Sequence, residues 1–247
     1  MPIAFYFHST DTQSKLTVAR HMVAFRKATE RLKEYYEKLQ ETPTVPSVVP
    51  PHMFPYPTGY KSLNDNTPKR FQYGIELVDD KLVFSGTEDN GDNICIKFVQ
   101  TYSCDAHKCL ASLGRAPALR GFEKIHGGWF MVVMDLLPED YETLSQRKDP
   151  LSTSFFNELS KVLNHFHDAG FVHGDIRDAN TMVFKNDETK FMIIDFDWSG
   201  RVGEARYPAD VNHMEIERPE DAQDGLEILK DHDLHMLKII QKNKVRD

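Results

Sequence analysis

Asp175, Asn180 and Asp195 lie within "FVHGDIRDANTMVFKNDETKFMIIDFDWSG", residues 171–200, a stretch that holds five aspartates and two asparagines among apolar runs. Asp175 and Asn180 are five apart in a polar loop that leads into the apolar run at 181–184. Asp195 closes a second apolar run, 191–194, after the turn material "KNDETK". Two strands joined by that turn form a hairpin whose open ends meet, which brings Asn180 and Asp195 together. A hard cation such as Mg²⁺ takes a few carboxylate or amide oxygens, with water and phosphate oxygens completing its shell. Asn180 and Asp195 could supply the protein share, and Asp175 could orient a hydroxyl and accept its proton. The plainer alternative is a set of turn aspartates, each hydrogen-bonded within its own loop.

The elements that must hold these residues follow from apolar periodicity. "FQYGIELV", "KLVFSG" and "NICIKFV" are short alternating or apolar runs with "DD" and "TEDNGDN" between them, which predicts an antiparallel meander from Phe71. "SCDAHKCLASLG" reads as a short helix capped by Ser103 and stopped by Gly114. Two strands follow around a turn at His126–Gly128. "STSFFNELSKVLNHFHDAG" is an amphipathic helix with cap candidates at 152–154 and a stop at Gly170, and a last helix is expected near 225–241. Upstream, residues 10–40 read as an amphipathic helix, capped by Ser9, Thr10 or Asp11, that packs on the following domain in preference to a separate partner. Residues 43–57 contain six prolines and form an extended segment. Strands dominate one half and helices the other, an α+β arrangement of two lobes.

Bulk properties narrow the function classes. At 247 residues the chain can bury a substantial core, and 40% hydrophobic with 11% aromatic content fits a globular protein. A net charge of −8 disfavours general nucleic-acid binding. Cys95, Cys104 and Cys109 make an odd set with no CxxC pair, which argues against a disulfide framework or zinc ribbon and fits a reducing compartment. The first residues carry no signal-like pattern and no apolar run has membrane-spanning length, so a cytoplasmic or nuclear location is expected. His165 and His167 are two apart and face different sides of a helix, so with His173 they do not make a zinc cluster. "HDLH", residues 232–235, reads as a solvated helix face, and no G-x-S-x-G elbow is present.

"HGDIRDAN" followed by "IIDFDW" resembles the catalytic and metal-binding loops of the protein-kinase-like superfamily, whose general pattern is H-R-D-x-x-x-x-N and then D-F-G. The resemblance implies a two-lobed kinase-like fold, with an antiparallel-sheet N-lobe and a mainly helical, shortened C-lobe. It implies Asp175 as catalytic base, Asn180 and Asp195 as magnesium ligands, His173 as a structural loop residue and Arg177 near the γ-phosphate. "NICIKFV" resembles the V-A-I-K strand, with Lys97 gripping the phosphates and Asp105, or Glu123 in its stead, as ion-pair partner. "WFMVVMDLL" resembles the strand and hinge at adenine, with Met134 near the gatekeeper place and Asp135 to Leu137 as hinge backbone. "HGD" is closer to small-molecule kinases of the aminoglycoside and choline phosphotransferase kind. "GGWFMVVMD" and "VHGDIRDAN" are also similar to small kinase-like proteins of mushroom-forming fungi. The implied domains are 1–42 (helical extension), 43–70 (proline-rich), 71–137 (N-lobe to hinge) and 138–247 (C-lobe).

The departures from that pattern are local. The place expected for the glycine-rich phosphate loop, "SGTEDNGDN", has Gly86 and Gly91 but no G-x-G-x-x-G, and three acidic residues. Asp197 replaces the last glycine of the metal loop, either as a second metal ligand or, the preferred reading, hydrogen-bonded within its loop. Gly174 removes the arginine that reads a phosphorylated activation loop, and no A-P-E follows Trp198. The implied function is ATP- and Mg²⁺-dependent phosphoryl transfer to a hydroxyl of a protein or a small molecule. The alternative is a pseudokinase or nucleotide-binding scaffold that acts through a protein partner.

Overall fold

The structure, a computed structural model, describes residues 12–40, 54–79, 81–209 and 211–245. The expected caps at Ser9, Thr10 and Asp11 and the proline-rich stretch up to residue 53 lie outside the described residues. The chain divides into two compact units, Met1–Pro55 and Tyr56–Asp247. In the first, α1 (Thr12–Gln40) runs for 29 residues. Its Arg26–Glu30 and Lys33–Glu37 ion pairs sit at helical i,i+4 spacing and add a few tenths of a kcal/mol each, about 0.3–0.5.

The second unit opens with a six-stranded antiparallel sheet made of β1 (Gly59–Lys61), β2 (Pro68–Glu76), β3 (Val83–Glu88), β4 (Asn93–Val99), β5 (Leu119–Lys124) and β6 (Phe130–Asp135). The spatial order is β1-β2-β3-β4-β6-β5. The sheet therefore starts earlier than residue 71, because β1 and the first residues of β2 come from the segment read as proline-rich and extended. The side-chain period of two divides β4 cleanly. Ile94, Ile96 and Phe98 are buried, with Phe98 edge-on to Phe84, while Cys95, Lys97 and Val99 take the other face. The sheet curls until its edge strands meet: Ser62 bridges Gly121, and Leu63 N donates to Arg120 O at 2.9 Å. Gly121 permits this approach, since a Cβ there would lie 2.3 Å from the Tyr60 ring.

Between β4 and β5 runs α2 (Cys104–Ser112), capped by Ser103, whose Oγ accepts from Ala106 N at 3.3 Å, and followed by Gly114 at φ 66°. Both signals match the sequence reading. The helical part holds β7 (Tyr141–Thr143), α3 (Thr153–Asp168), β8 (Phe171–Val172), β9 (Thr181–Phe184), β10 (Asp187–Ile193), β11 (Gly200–Arg201) and α4 (Lys230–Lys244). Phe155, Phe156, Leu159, Val162, Leu163 and Phe166 form one buried stripe of α3, and Met236, Leu237 and Ile240 of α4 pack in the same core. Each large apolar side chain fully buried there contributes about 1.5–3 kcal/mol of transfer free energy. Helix α4 begins five residues later than the sequence suggests. The residues before it are extended instead, pairing Tyr207 N with Leu226 O and Ile228 N with Ala205 O, both at 3.0 Å. No described helix is long and apolar enough to cross a membrane, and the three cysteines are free thiols.

Candidate active site

The loop between β8 and β9 carries His173, Asp175, Arg177 and Asn180, and its shape is set from α4. Asp233, 1% exposed, accepts from His173 N and Gly174 N at 2.8 Å each, and from His167 Nε2 at 2.9 Å. The "HDLH" face is therefore not solvated: His232 and Asp233 enter the interior, and Asp233 is the anchor of the loop. His173 is fully buried, accepting from Asp175 N at Nδ1 (3.3 Å) and donating from Nε2 to Ile194 O (3.2 Å). The Asp233→Asn variant keeps the volume but offers one acceptor oxygen and an opposing NH₂ to three donors. We expect it to lose about 2–4 kcal/mol of stability in chemical denaturation, with turnover falling alongside.

Asp175 is 6% exposed and both its carboxylate oxygens are engaged. Oδ2 accepts from Arg177 Nε at 3.0 Å and Asn180 Nδ2 at 2.7 Å, and Oδ1 accepts from Arg218 Nη2 at 2.6 Å. The Arg218 side chain is 1% exposed and its guanidinium lies 4.8 Å from the centre of the Trp198 ring. Sequence reasoning missed Arg218, which arrives from the irregular segment "ERPED" 43 positions away. Gly174 explains why no arginine precedes Asp175. Its φ is 82°, and a Cβ would stand 2.7 Å from Ile228 Cδ1.

The β9–β10 hairpin pairs Thr181 with Ile193, and Ile194 N donates to Asn180 O at 2.9 Å, so the open ends bring Asn180 beside Asp195. Asp195 has φ 70°, a left-handed conformation that costs a non-glycine residue roughly 1–2 kcal/mol. Across the cleft, Lys97 Nζ lies 2.5 Å from Asp195 Oδ1 and 2.6 Å from Asp197 Oδ1, with Lys81 Nζ 3.4 Å from Asp195 Oδ2. Burial alone would push the Asp195 carboxyl up, but Lys97 and Lys81 hold it well below the usual range. Asp197, buried and next to the charge of Asp195, is pushed up to about 7 despite Lys97. Burial would lower the Lys97 amine, and the two carboxylates reverse that shift, so Lys97 stays charged.

These contacts correct three expectations. Asp105 does not pair with Lys97; its side chain is exposed on the first turn of α2, 3.6 Å from Arg201. Glu123 is no substitute, since its carboxylate accepts from Lys61 N at the sheet's closing edge. Asp197 is not turned back into its own loop but reaches Lys97. In place of a helix carboxylate, α2 presents His107. This ring stacks on Phe196 at 4.5 Å between centroids and accepts from the Tyr102 hydroxyl at Nδ1 (2.6 Å), while Nε2 donates to Pro117 O at 2.7 Å. Desolvation lowers His107 to about 4, which keeps the ring neutral.

A turn other than the one at 85–93 reaches Asp195. The turn nearest Asp195 is "LVDDKL", between β2 and β3, which carries Lys81; the acidic turn at 89–92, between β3 and β4, lies elsewhere. Asp92 Oδ2 and Asp135 Oδ1 both accept from Arg120, at 2.9 and 2.5 Å, which fixes that turn to the end of β6. Asp92 is thereby paired with Arg120 and not with Lys97. Met134 is buried and pairs with Cys95, and Lys97 pairs with Val132, so these four share the face of the sheet that bears Lys97. Asp135 ends β6 and Leu137 is half-buried in the connection that leads to β7.

No group of three or more His, Cys, Asp or Glu side chains among the described residues forms a metal cage. A magnesium ion that arrives with phosphate oxygens needs fewer protein ligands. Asn180 fits that role: Nδ2 donates to Asp175 O (3.0 Å) and Oδ2 (2.7 Å), which leaves the amide oxygen as the acceptor it can offer. Asp195 supplies a carboxylate that its surroundings keep ionised.

An antiparallel sheet with a lysine strand, joined to a helical lobe that presents these two loops, is a protein-kinase-like fold of shortened, two-lobed form. A solved structure of vaccinia related kinase 3 matches it with a TM-score of 0.53 at 12% identity, over 83% of this chain and 70% of that one. The PK-1 kinase of Cydia pomonella granulovirus also matches, with a TM-score of 0.48 at 18% identity. That match covers 57% of this chain and 55% of the viral one, so the chain spans about half of that protein's length. No protein-family model and no curated protein matches the sequence.

Proposed function

We propose that the protein is an ATP- and Mg²⁺-dependent phosphotransferase that moves the γ-phosphoryl group to a hydroxyl of a protein or a small molecule. The observation that carries this reading is the meeting of Asp175, Asn180, Asp195 and Lys97 in one cleft, each with the partners described above. In this reading Asn180 and Asp195 hold the metal, which neutralises charge on the phosphates when bound. Lys97 leaves Asp197 to take α- and β-phosphate oxygens, and Met134 with Asp135 and Leu137 borders the adenine. Arg177, which donates to Asp175, would also meet the transferred group, and Asp175 accepts the acceptor's proton as the new P–O bond forms and the bond from the γ-phosphorus to the bridging oxygen breaks, releasing ADP. Such chemistry depends on positioning and charge stabilisation more than on covalent participation.

A second reading, a nucleotide-binding scaffold, draws on two features: the clasp of Lys97 by both Asp195 and Asp197, and the phosphate turn without glycine. Calorimetry and thermal shift of the full chain with ATP, with and without Mg²⁺, test the shared part. Labelled ATP incubated with small-molecule and protein fractions of cell extract then tests transfer. Mg²⁺-dependent binding with label in one fraction is the expected result; binding without any turnover favours the scaffold, and no binding removes both.

A further inference from the structure

The turn between β2 and β3 stands where phosphates would lie, yet its backbone is engaged. Leu77 N donates to Val83 O at 2.8 Å, Lys81 N to Val78 O at 3.2 Å and Val83 N to Lys81 O at 2.8 Å. "LVDDKL" has no glycine, and no described residue of it has positive φ. The described amides of Leu77, Lys81 and Val83 are thus spent within the hairpin.

We propose that Lys81 is a phosphate-binding side chain that takes the terminal phosphates of the nucleotide. The assignment rests on the phosphotransferase reading of the same site. Lys81 Nζ already spans the cleft to 3.4 Å from Asp195 Oδ2, while its side chain stays 50% exposed. Lys97 meets the metal loop from the buried side, with its side chain 9% exposed. The two ammonium groups approach Asp195 on different carboxylate oxygens, one from the strand and one from the turn. Once a metal takes Asp195, Lys81 loses its anion and the incoming phosphate oxygens replace it. Asp79 on the same turn is exposed, so the solvent screens it from this position. A lysine suits the task as a compact point charge on a flexible stem.

Titration of Mg²⁺ with ATP, ADP and adenosine into the wild type, Lys81→Ala and Lys81→Arg tests this, together with steady-state kinetics. Lys81→Ala is expected to weaken ATP roughly ten- to hundredfold and ADP less, with adenosine unchanged. KM for ATP rises more than kcat falls, and Lys81→Arg restores most of the affinity. If Lys81 only neutralises Asp195, its removal frees a metal ligand, and ATP binds Lys81→Ala as well as the wild type or better; that outcome overturns the proposal while the site's reading stands. A wild type that binds no nucleotide overturns both.

Discussion

Asn at position 175 is expected to end transfer while Mg²⁺-dependent ATP binding persists. The loss of a positioned general base lowers kcat by roughly 10²- to 10⁴-fold. The structure adds a second effect. Asp175 is the counter-ion of Arg218, whose side chain is 1% exposed, and the amide cannot neutralise it. An uncompensated buried charge costs about 3–5 kcal/mol, so Asp175→Asn should also lower the denaturation midpoint. The double variant Asp175→Asn, Arg218→Met removes the orphaned guanidinium. Its stability should recover toward the wild type, and its turnover should not. Turnover retained in the single variant would sink the role assigned to Asp175.

Lys97→Met carries the second large effect, and its pH dependence identifies the cause. Without the ammonium, the Asp195 and Asp197 carboxylates face each other in a cleft where only Lys81 remains, at about 3–5 kcal/mol of destabilisation near neutral pH. In the wild type Asp195 titrates well below the ordinary carboxylate range, so the stability it contributes is complete above that range and is lost only in acid. In the variant, burial and the repulsion between the two carboxylates act without the Lys97 ammonium that opposes them, so both carboxyls are expected to shift upward. A carboxyl of raised pKa favours the fold while protonated and loses that contribution as pH rises. The difference in Tm between wild type and variant should therefore be largest near pH 8 and shrink toward pH 5. A constant difference across that range would mean that lost packing, not lost charge, is responsible. Nucleotide binding should fall in the variant at every pH.

Much of the frame was legible because its signals are local. Ser103 and Ser152 cap helices within three residues of themselves, and the alternation in "NICIKFV" marks both a strand and the isolated lysine on it. The order of strands and helices then leads to the two-lobed kinase-like fold. What escaped depends on partners distant in the chain. Asp233 looks like a helix-surface residue until the first turn of α4 is seen to enter the core beneath the loop it anchors. Arg218 lies in a segment without periodicity, so nothing near it points to Asp175. The resemblance offers Asp105, the acidic residue of the following helix, as partner for Lys97, but α2 turns His107 inward and leaves Asp105 exposed. The turn that reaches Asp195 was not singled out because glycines drew the reading to 85–93. The preceding hairpin uses "LVDDKL" and no glycine at all.

The curled sheet has one more consequence. Lys61 and Glu123, which help to seal the two edge strands, are 62 positions apart, and Ser62 and Gly121 close the same seam. Contacts that distant must wait for the intervening chain to be ordered, so the seam forms late and its loop-closure entropy slows the assembly of the lobe. Once made, it covers part of the margin that β1 and β5 would otherwise present, which shortens the edge a visiting peptide or a second sheet could extend.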